Sequence, residues 1–368
     1  MAYLEINITE IKNNIRKISS YLKKHEIHWS LITKVFSGDK EFMSKILTPD
    51  IVKGLHSVGD SRLSSLKNLK ELNPELVTIY IKPPPMAYLE DIVRYADISA
   101  NTSLKTIKAL NEVAKKQGKI HKILVMIELG ELREGVNRED FAEFYKNIFE
   151  LKHIEVVGIG SNLGCMYGIE PTYDKLLQLI LYKELTELKH GDTLPLVSGG
   201  SSITLPLIET ASIPKGINHF RIGEAAFFGT SPLDNNQFLD LSTDTFNFYT
   251  QIIELEEKDI VPDGNISEAN IGHSAEFNEQ DSSRKSYKAI LDFGLLDVDQ
   301  DGLKSDDKDI KLVGITSDMT VVDIGNNKNK DKPKKYKIGD HLCLDPSYLG
   351  VARLLSSKFI EKVFIEES

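Results

Sequence analysis

The chain has 368 residues, of which 41% are hydrophobic and 27% are charged, the balance of a globular protein large enough for two domains. Its formal net charge of -10 argues against nucleic acid or an anionic membrane surface as a partner. With 2 cysteines, no targeting segment and no apolar stretch long enough to cross a bilayer, we expect a cytoplasmic protein.

Strand-like and helical segments alternate through the first two thirds of the chain. A short strand is predicted at 4–7 and a helix at 10–24, and further strands at 29–33, 54–58, 77–81, 97–100, 123–128, 155–160, 195–198 and 218–222. Amphipathic helical patterns separate these strands. Such an alternation predicts an α/β fold with a closed (β/α)8 barrel of the TIM type. A doubly wound open sheet is the competing topology, but no Gly-x-Gly-x-x-Gly turn follows the first strand.

The pattern changes after Gly229. Short β-rich segments are separated by polar turns, and helical periodicity almost disappears. This pattern of short β-rich segments predicts a second, mostly antiparallel β domain. A linker containing Pro and Asn at 231–237 marks the boundary, so the predicted domains are a barrel at 1–232 and a C-terminal β domain at 233–368.

Lys34 follows the apolar segment 29–32 directly, at the end of the first barrel strand. Burial there favours the neutral amine, and a neutral amine can form a Schiff base with an aldehyde. Taken alone, the same pattern describes a lysine whose ammonium group extends into solvent. The carboxyl ends of barrel strands, however, share the face on which active sites of this fold lie. We therefore expect Lys34 on that face, among residues that follow the other strands.

A Gly/Ser-rich stretch, Ser198 to Thr204, follows the seventh barrel strand and leads into a helical pattern. Backbone N–H groups and hydroxyls at the start of a helix can bind phosphate, although such a stretch is also a common turn and helix cap. Barrels often bind phosphate with the loops after strands seven and eight, which here are this stretch and Arg221 to Glu224. A reactive lysine and a phosphate site in one barrel suggest pyridoxal phosphate.

Several motifs together carry a family resemblance over most of the chain. They are Thr33-Lys34, Asp60-Ser61-Arg62, Ile127 to Gly135, Gly158 to Cys165, Ser198 to Ser202, Phe220 to Glu224, Val313 to Asp318, Val322-Asp323 and Ser347-Tyr348. With these motifs the chain resembles alanine racemase and its relatives, the barrel-type (fold type III) pyridoxal-phosphate enzymes, and most of all their ornithine racemase branch. The stretches Leu-Arg-Glu-Gly and Ser-Gly-Gly-Ser-Ser are the most specific parts.

The resemblance implies pyridoxal 5'-phosphate as the cofactor and assigns residues to its aldehyde and phosphate. Lys34 forms the Schiff base with the aldehyde and acts as one proton-transfer base. Ser201, Ser202 and the Gly223-Glu224 backbone bind the phosphate, and Tyr348 donates a further hydrogen bond.

The resemblance also assigns residues to the cofactor ring. Arg221 faces the pyridine nitrogen and keeps it unprotonated, and Asn162 lies near the ring. Arg133 lies near the cofactor phenolate or the substrate carboxylate. Without the resemblance, both arginines are as easily read as structural salt-bridge partners.

Three positions depart from alanine racemase. Phe293 stands where the tyrosine base is expected, Met126 where a modified lysine is expected, and Gly38 where a phosphate-region tyrosine is expected. Racemisation needs proton-transfer groups on opposite faces of the substrate carbon, and phenylalanine cannot serve as one. The candidates for the second base are Asp292, Asp297, His273 and Cys343, of which we single out Asp292 and Asp297 as catalytic residues beside Lys34.

The resulting prediction is an amino acid racemase that acts on ornithine or another basic amino acid and forms a homodimer. Glu128 or Asp297 is a candidate partner for the substrate ammonium group. A non-catalytic pyridoxal-phosphate carrier is one alternative, although such proteins resemble the barrel alone. A metal-assisted D-amino acid aldolase or dehydratase is another, and it would use a His-x-Cys zinc pair. We interpret His341 and Cys343 as structural because the preceding Pro-Asn pair is missing, so no metal is expected.

Overall fold

The computed structural model describes residues 2–191, 193–267, 272–274, 284–305, 307–328 and 335–366. The chain forms two compact units, one of Glu10–Thr243 and one of Met1–Thr9 together with Asp244–Ser368. This division differs from the predicted domains 1–232 and 233–368, because the first strand, β1 (Tyr3–Asn7), pairs with strands near the end of the chain. The described part of the chain holds no helix of the length and apolarity needed to cross a membrane.

The first unit is a closed parallel barrel whose eight strands are hydrogen-bonded in chain order. They are β2 (His28–Ile32), β3 (Ser57–Asp60), β4 (Thr78–Tyr80), β5 (Ile98–Asn101), β6 (His121–Met126), β7 (Ile154–Gly160), β8 (Leu196–Ser201) and β9 (His219–Ile222). Parallel pairing of β2 with β9 closes the barrel. The predicted (β/α)8 barrel is thereby confirmed, and the open doubly wound sheet is excluded.

Helices connect the barrel strands and cover their outer face. They are α1 (Ile8–Lys24), α2 (Lys40–Ile46), α3 (Pro49–Lys53), α4 (Leu63–Leu72), α5 (Leu89–Tyr95), α6 (Leu104–Lys116), α7 (Phe141–Phe149), α8 (Tyr173–His190), α9 (Leu205–Glu209) and α10 (Glu224–Phe228). Their sequences carry ordinary start and stop signals. In α8, for example, the Thr172 hydroxyl accepts the Lys175 N–H at 3.3 Å, and Gly191 ends the helix with a φ of 73°.

The inside of the barrel has an apolar side and a polar side. Trp29 donates its ring N–H to Ser19 of α1, so it faces the helices, and the alternating neighbour Ser30 faces inward. Ser30 and His219 are hydrogen-bonded to each other on the polar side, which β2 and β9 supply. The apolar side is a buried cluster of Ile79, Ile98, Ala100, Leu124, Met126, Val157 and Leu196.

The second unit is a β sheet with one further helix, α11 (Tyr348–Ser356). Its other strands are β10 (Phe246–Asp259), β11 (His273–Ser274), β12 (Lys285–Leu291), β13 (Leu303–Lys304), β14 (Lys311–Ile315), β15 (Thr320–Asp323), β16 (His341–Pro346) and β17 (Glu361–Ile365). The described strands pair antiparallel, except that β1 runs parallel to β17. The prediction of a mostly antiparallel β domain is confirmed.

Candidate active site

Lys34 begins a 3-10 turn, Lys34–Phe36, immediately after the first barrel strand. The preceding residue is tied to the neighbouring strand. The Thr33 N–H donates to the Gly59 carbonyl at 2.8 Å, and the Thr33 hydroxyl donates to an Asp60 carboxylate oxygen at 3.3 Å. Because Phe36 is buried on the other side, the backbone that carries Lys34 is held at the carboxyl ends of the strands.

Asp60 is a buried carboxyl group at the end of β3. Burial raises its pKa, and hydrogen bonds to the carboxylate oppose that rise, among them the one from the Arg62 N–H at 2.9 Å. Through Thr33, Asp60 joins the ends of the first two barrel strands directly behind Lys34. The sequence motif that includes Asp60 therefore holds the ends of these two strands together.

Gly38 follows the turn with a φ of 73°, in the left-handed region that favours glycine. A Cβ at this position would lie 2.4 Å from the Ser65 Cα in α4. A side chain therefore does not fit here unless α4 shifts. This contact explains why the tyrosine of the alanine racemase pattern is absent from this position.

Arg221 lies on β9 and is buried, with 7% of its surface exposed. Its Nη2 donates to the Ser161 carbonyl at 2.7 Å and to the Asn162 Oδ1 at 2.6 Å. Its Nη1 donates to the Ser198 carbonyl at 3.0 Å and to the Ser198 hydroxyl. Burial lowers the pKa of this guanidinium to about 10, against the opposing effect of Glu134. Arg221 is thus a fixed, desolvated cation held by neutral groups.

Glu134 connects the remaining ring-side residues of the barrel. Its carboxylate accepts a hydrogen bond from the Asn162 amide N–H and another from Arg133 Nη2, the latter at 2.7 Å. Because Asn162 presents its oxygen to Arg221 and its nitrogen to Glu134, the orientation of its amide is determined by both partners. The structure therefore brings together Arg133, Asn162 and Arg221, and the link that joins them is a glutamate to which sequence reasoning gave no role.

Glu128 and Glu131 organise the loop that follows β6. The Glu128 carboxylate accepts the N–H groups of Gly130 and Arg133, the latter at 3.1 Å, which favours a structural role over recognition of a substrate ammonium group. Glu131 is buried, and its carboxylate accepts backbone N–H groups across to a second loop. Those donors are Cys165 at 3.1 Å, Met166 at 2.7 Å, Tyr167 at 3.0 Å and Ile169 at 2.8 Å.

We expect Glu131→Gln to loosen the loop 165–169, because an amide oxygen replaces only part of a carboxylate that accepts several N–H groups. Burial raises the pKa of Glu131, but the backbone donors outweigh burial and lower it overall. The stabilisation is therefore present above about pH 4.5, the ordinary value of a glutamate, and is lost as pH falls through the lowered value. Since each hydrogen bond to a charged group contributes about 1.5–3 kcal/mol, amide exchange in the loop should rise at least about tenfold at pH 7.

The measurement is hydrogen–deuterium exchange followed by mass spectrometry at pH 7 and near pH 3, corrected for the intrinsic exchange rate. The difference between variant and wild type should shrink at the acidic pH. Glu170→Gln, which changes an exposed carboxylate next to the same loop, is the matched control and should leave the exchange unchanged. Equal exchange in Glu131→Gln and Glu170→Gln would contradict this role.

The loops after the last two barrel strands are joined at the predicted phosphate site. The Ser202 hydroxyl accepts the Ala225 N–H at 3.1 Å, and Ser201 caps the 3-10 turn Ser202–Thr204. A Cβ on Gly223 would lie 2.8 Å from the Ile32 carbonyl, so glycine lets the start of α10 approach the end of the strand that precedes Lys34. The first N–H groups of a helix lack partners within it and can serve as anion donors.

The glycines of the Ser-Gly-Gly-Ser-Ser stretch do not form the predicted turn. Gly199 and Gly200 lie within β8, and the turn begins only at Ser202. A Cβ on Gly200 would lie 2.1 Å from the Phe220 ring, so the residue is small because the neighbouring strand carries a large buried side chain. The sequence pattern indicated glycines that allow a turn, whereas Gly200 is required by packing against Phe220.

Glu224 places a carboxyl group at the same end of the barrel. Burial raises its pKa, and the charge of Lys34 opposes that rise. Glu224 is the first residue of α10 and follows Gly223 directly.

These residues fit a ligand with an aldehyde, an anionic tail and a ring nitrogen. Lys34 follows β2 at the carboxyl end of the barrel, and the buried guanidinium of Arg221 lies on β9, the strand paired with β2. The Ser161 hydroxyl, next to a carbonyl that Arg221 contacts, is buried without a hydrogen-bond partner in the described structure. An unsatisfied polar atom of this kind is expected where a polar ligand completes a site.

The β unit carries the other predicted site residues. Tyr348 is the first residue of α11, whose N-cap is Ser347. Asp297 accepts the Ser357 hydroxyl at 2.7 Å and the Gly294 N–H at 3.3 Å, while the Asp292 backbone N–H bonds to Gln251 at 3.2 Å.

Other positions singled out in this part of the sequence have plain structural environments. Phe293 is buried edge-to-face against Phe248, with ring centroids 5.1 Å apart, so it belongs to the core of its unit. His273 pairs with Asp299 at 3.4 Å, and Cys343 lies exposed on β16. Within the described residues, no three His, Cys, Asp or Glu side chains are grouped as metal ligands.

The fold and the site together define a TIM-type barrel protein with a lysine and a buried arginine at the carboxyl ends of adjacent strands. The family model described as alanine racemase, N-terminal domain, matches residues 6–232. The chain therefore belongs to the alanine racemase family. It is 34% identical over 365 residues to an ornithine racemase of Acetoanaerobium sticklandii and 32% identical over 362 residues to a lysine racemase of Thermotoga maritima. Each comparison covers 98% of both chains.

Solved structures support the same fold at low sequence identity. An alanine racemase from Corynebacterium glutamicum matches with a TM-score of 0.72 at 17% identity, covering 99% of both chains. An alanine racemase from Bartonella henselae with covalently bound pyridoxal phosphate matches with a TM-score of 0.73 at 15% identity, again covering 99% of both chains. A D-threonine aldolase from Filomicrobium marinum has a TM-score of 0.71 at 12% identity and is covered over 91% of its length.

Proposed function

We propose that this protein is a pyridoxal-phosphate-dependent racemase of basic amino acids, with ornithine as the preferred candidate substrate. The observation that carries the proposal is Arg221, a buried guanidinium held by neutral acceptors on the strand next to the one that ends at Lys34. The two full-length relatives, an ornithine racemase and a lysine racemase, support both the reaction and the class of substrate.

The barrel residues have distinct proposed roles. When bound, pyridoxal phosphate would supply an electron sink that acidifies the proton on the substrate α-carbon. Lys34 would hold the cofactor covalently through its amine and accept or return that proton on one face. Ser201 and Ser202 with the Gly223-Glu224 backbone would bind the phosphate, in the region where the Ser202 hydroxyl already ties two loops together.

Arg221 would donate to the pyridine nitrogen. A guanidinium cannot give up its proton readily, so the ring nitrogen would stay unprotonated and the electron sink would be weak. Asn162 and Arg133 would line the ring side, held by Glu134. A weak electron sink in the cofactor limits reactions that compete with proton transfer, and racemisation needs only the removal and return of one proton.

The proton-transfer group on the opposite face is proposed to come from the β unit. Asp292 and Asp297 are the candidates, and Tyr348 is proposed to add a hydrogen bond to the phosphate. The Asp297 carboxylate already accepts Ser357 and Gly294, so Asp292 is the better candidate of the two. A homodimer is proposed from the family resemblance, and light scattering of the purified protein would contradict it by reporting a monomer.

Incubation with pyridoxal phosphate and L-ornithine in deuterated water tests the function. We expect D-ornithine by chiral chromatography and deuterium at the α-carbon by mass spectrometry, with lysine accepted and alanine a poor substrate. Asp292→Asn should lower exchange at least about hundredfold if it is the second proton-transfer group, with Asp297→Asn as the comparison. A protein that binds the cofactor but exchanges no α-proton would be a carrier, and the racemase proposal would be wrong.

A further inference from the structure

A continuous chain of hydrogen bonds runs through the polar side of the barrel and ends at Arg221. The Ser198 hydroxyl, which accepts from Arg221, lies 2.8 Å from His219 Nδ1. His219 Nε2 lies 2.9 Å from the Ser30 hydroxyl, which lies 2.7 Å from the Ser57 hydroxyl. The Ser57 hydroxyl in turn lies 3.3 Å from His56 Nδ1. Five residues on barrel strands and His56, which directly precedes β3, thus form one connected line.

The direction of these hydrogen bonds follows from Arg221. A guanidinium only donates, so the Ser198 hydroxyl accepts from it and directs its own proton to His219 Nδ1. His219 must then carry its proton on Nε2 and donate to Ser30. With Ser30 donating to Ser57, and Ser57 to His56 Nδ1, each member has a donor and an acceptor in one consistent order.

The surroundings of His219 require the neutral imidazole. The residue is fully buried, with 0% of its surface exposed, and its ring packs edge-to-face on His56 with centroids 4.9 Å apart. Burial lowers its pKa well below the ordinary value, and the charges of His56, Arg221 and His28 act in the same direction. A neutral ring has one acceptor nitrogen and one donor nitrogen, which is what the chain of hydrogen bonds needs.

Resting on the proposed function, we propose that His219 is a positioning residue that acts through Ser198 to orient the Arg221 guanidinium toward the pyridine nitrogen of the cofactor. If His219 is removed, the Ser198 proton loses its acceptor. That hydroxyl then rotates freely, and its lone pairs no longer define one position for Arg221 Nη1. The guanidinium keeps its carbonyl acceptors, so the change alters orientation rather than charge.

A second buried histidine provides a matched control. The His121 ring accepts or donates a 2.8 Å hydrogen bond with the Ser99 hydroxyl on the adjacent strand, and both side chains are buried. The Asn101 amide donates to the Ser99 hydroxyl at 2.8 Å, and within the described residues this group makes no hydrogen bond to Arg221. His121→Phe therefore repeats the chemical change of His219→Phe at a buried position of the same barrel unit, on the helix-facing side of its strand, without touching the proposed line.

The experiment compares wild type, His219→Phe, His219→Asn, Ser198→Ala, the double variant of His219→Phe with Ser198→Ala, and His121→Phe. Three readouts are measured: the absorption band of bound pyridoxal phosphate, the dissociation constant of the cofactor from the apoprotein, and kcat and KM for ornithine.

A misplaced catalytic group typically lowers the rate about hundredfold. We expect His219→Phe to lower kcat by about 10–100-fold with KM within about threefold, and to shift the cofactor band. His219→Asn, which keeps an acceptor toward Ser198, should restore part of the loss.

The double variant separates a positioning role from a general loss of packing. If His219 acts only through Ser198, its removal adds nothing once the hydroxyl is gone, so the double variant should match Ser198→Ala. Additive effects, or a His219→Phe protein that behaves as His121→Phe does, would overturn the inference. If His219→Phe does not fold, Ser198→Ala and His219→Asn test the inference in its place. A wild-type cofactor band in both of these variants would overturn the inference.

The outcomes also separate this inference from the proposed function. A wild type that binds pyridoxal phosphate but exchanges no α-proton would reject the racemase, while the cofactor band of the variants would still decide the role of His219. A wild type that racemises ornithine, with variants indistinguishable from His121→Phe, would reject the inference alone. A wild type that binds no pyridoxal phosphate would reject both.

Discussion

The Lys34→Ala variant is expected to lose racemase activity by at least about 10^4-fold and to bind pyridoxal phosphate without the absorption band of a protein Schiff base. An alanine has no amine to hold the aldehyde and no group to move a proton, so the covalent attachment and one of the two proton-transfer functions are lost together. The phosphate binding that we propose for Ser201, Ser202 and the Gly223 loop does not depend on the amine, so weaker, non-covalent binding should remain. Absorption spectra and chiral product analysis measure the two losses.

Lys82→Ala is the matched control, since Lys82 also follows a barrel strand, where its ammonium lies 6.0 Å from the Tyr80 ring centroid. It should keep the colour and most of the activity. Addition of a small primary amine, which can replace the missing group chemically, should restore some proton transfer to Lys34→Ala but none to a protein that failed to fold. A Schiff-base absorption band that persists in Lys34→Ala without added amine would contradict the assignment.

Arg221→Lys is expected to lower kcat at least about hundredfold although it keeps the positive charge. Arginine presents several N–H groups in a fixed plane, and here they contact Ser161, Asn162 and Ser198, whereas a lysine ammonium has three donors on a flexible stem. Losing two hydrogen bonds from a charged group costs about 3 kcal/mol, which corresponds to roughly 6–12 °C in the unfolding temperature of a barrel of this size.

The exposed Arg94 on α5 serves as the control, and Arg94→Lys should change neither the rate nor the unfolding temperature. Calorimetry and steady-state kinetics on both variants separate the structural cost from the chemical one. An Arg221→Lys protein with wild-type kcat and an unchanged cofactor spectrum would show that the guanidinium does not serve the ring nitrogen.

The barrel could be predicted from the sequence because its signal is repeated. Each strand is a short apolar run, each helix has an amphipathic face, and a shift of a few residues at any boundary leaves the alternation intact. The second barrel strand, β3, is an example: the sequence predicts it at 54–58 and the structure has it at Ser57–Asp60, and the order of elements is unchanged. The domain boundary was less predictable, because the pairing of β1 with β10 and β17 is long-range and leaves no local pattern.

Candidate site residues could be chosen from the sequence where the residue type itself indicates a chemical role. Lys34 and Arg221 stand out as charged residues beside apolar strands, whereas Glu131 and Glu134 look like ordinary surface acids in a loop. Only the folded chain shows that Glu131 accepts several backbone N–H groups and that Glu134 joins Arg133 to Asn162. The sequence analysis gave no role to His219, although it stands two residues before Arg221 on the same strand, where alternation puts both side chains on one face.

We propose above all that the Lys34 amine, at the end of the first barrel strand, holds the cofactor aldehyde. The most direct test is to load the purified protein with pyridoxal phosphate, reduce it with borohydride to fix the carbon–nitrogen bond, and map the modified lysine by peptide mass spectrometry. We expect one labelled site, Lys34, and no label when the cofactor is removed before the reduction. Stoichiometric label on any other lysine, with Lys34 unmodified, would contradict it.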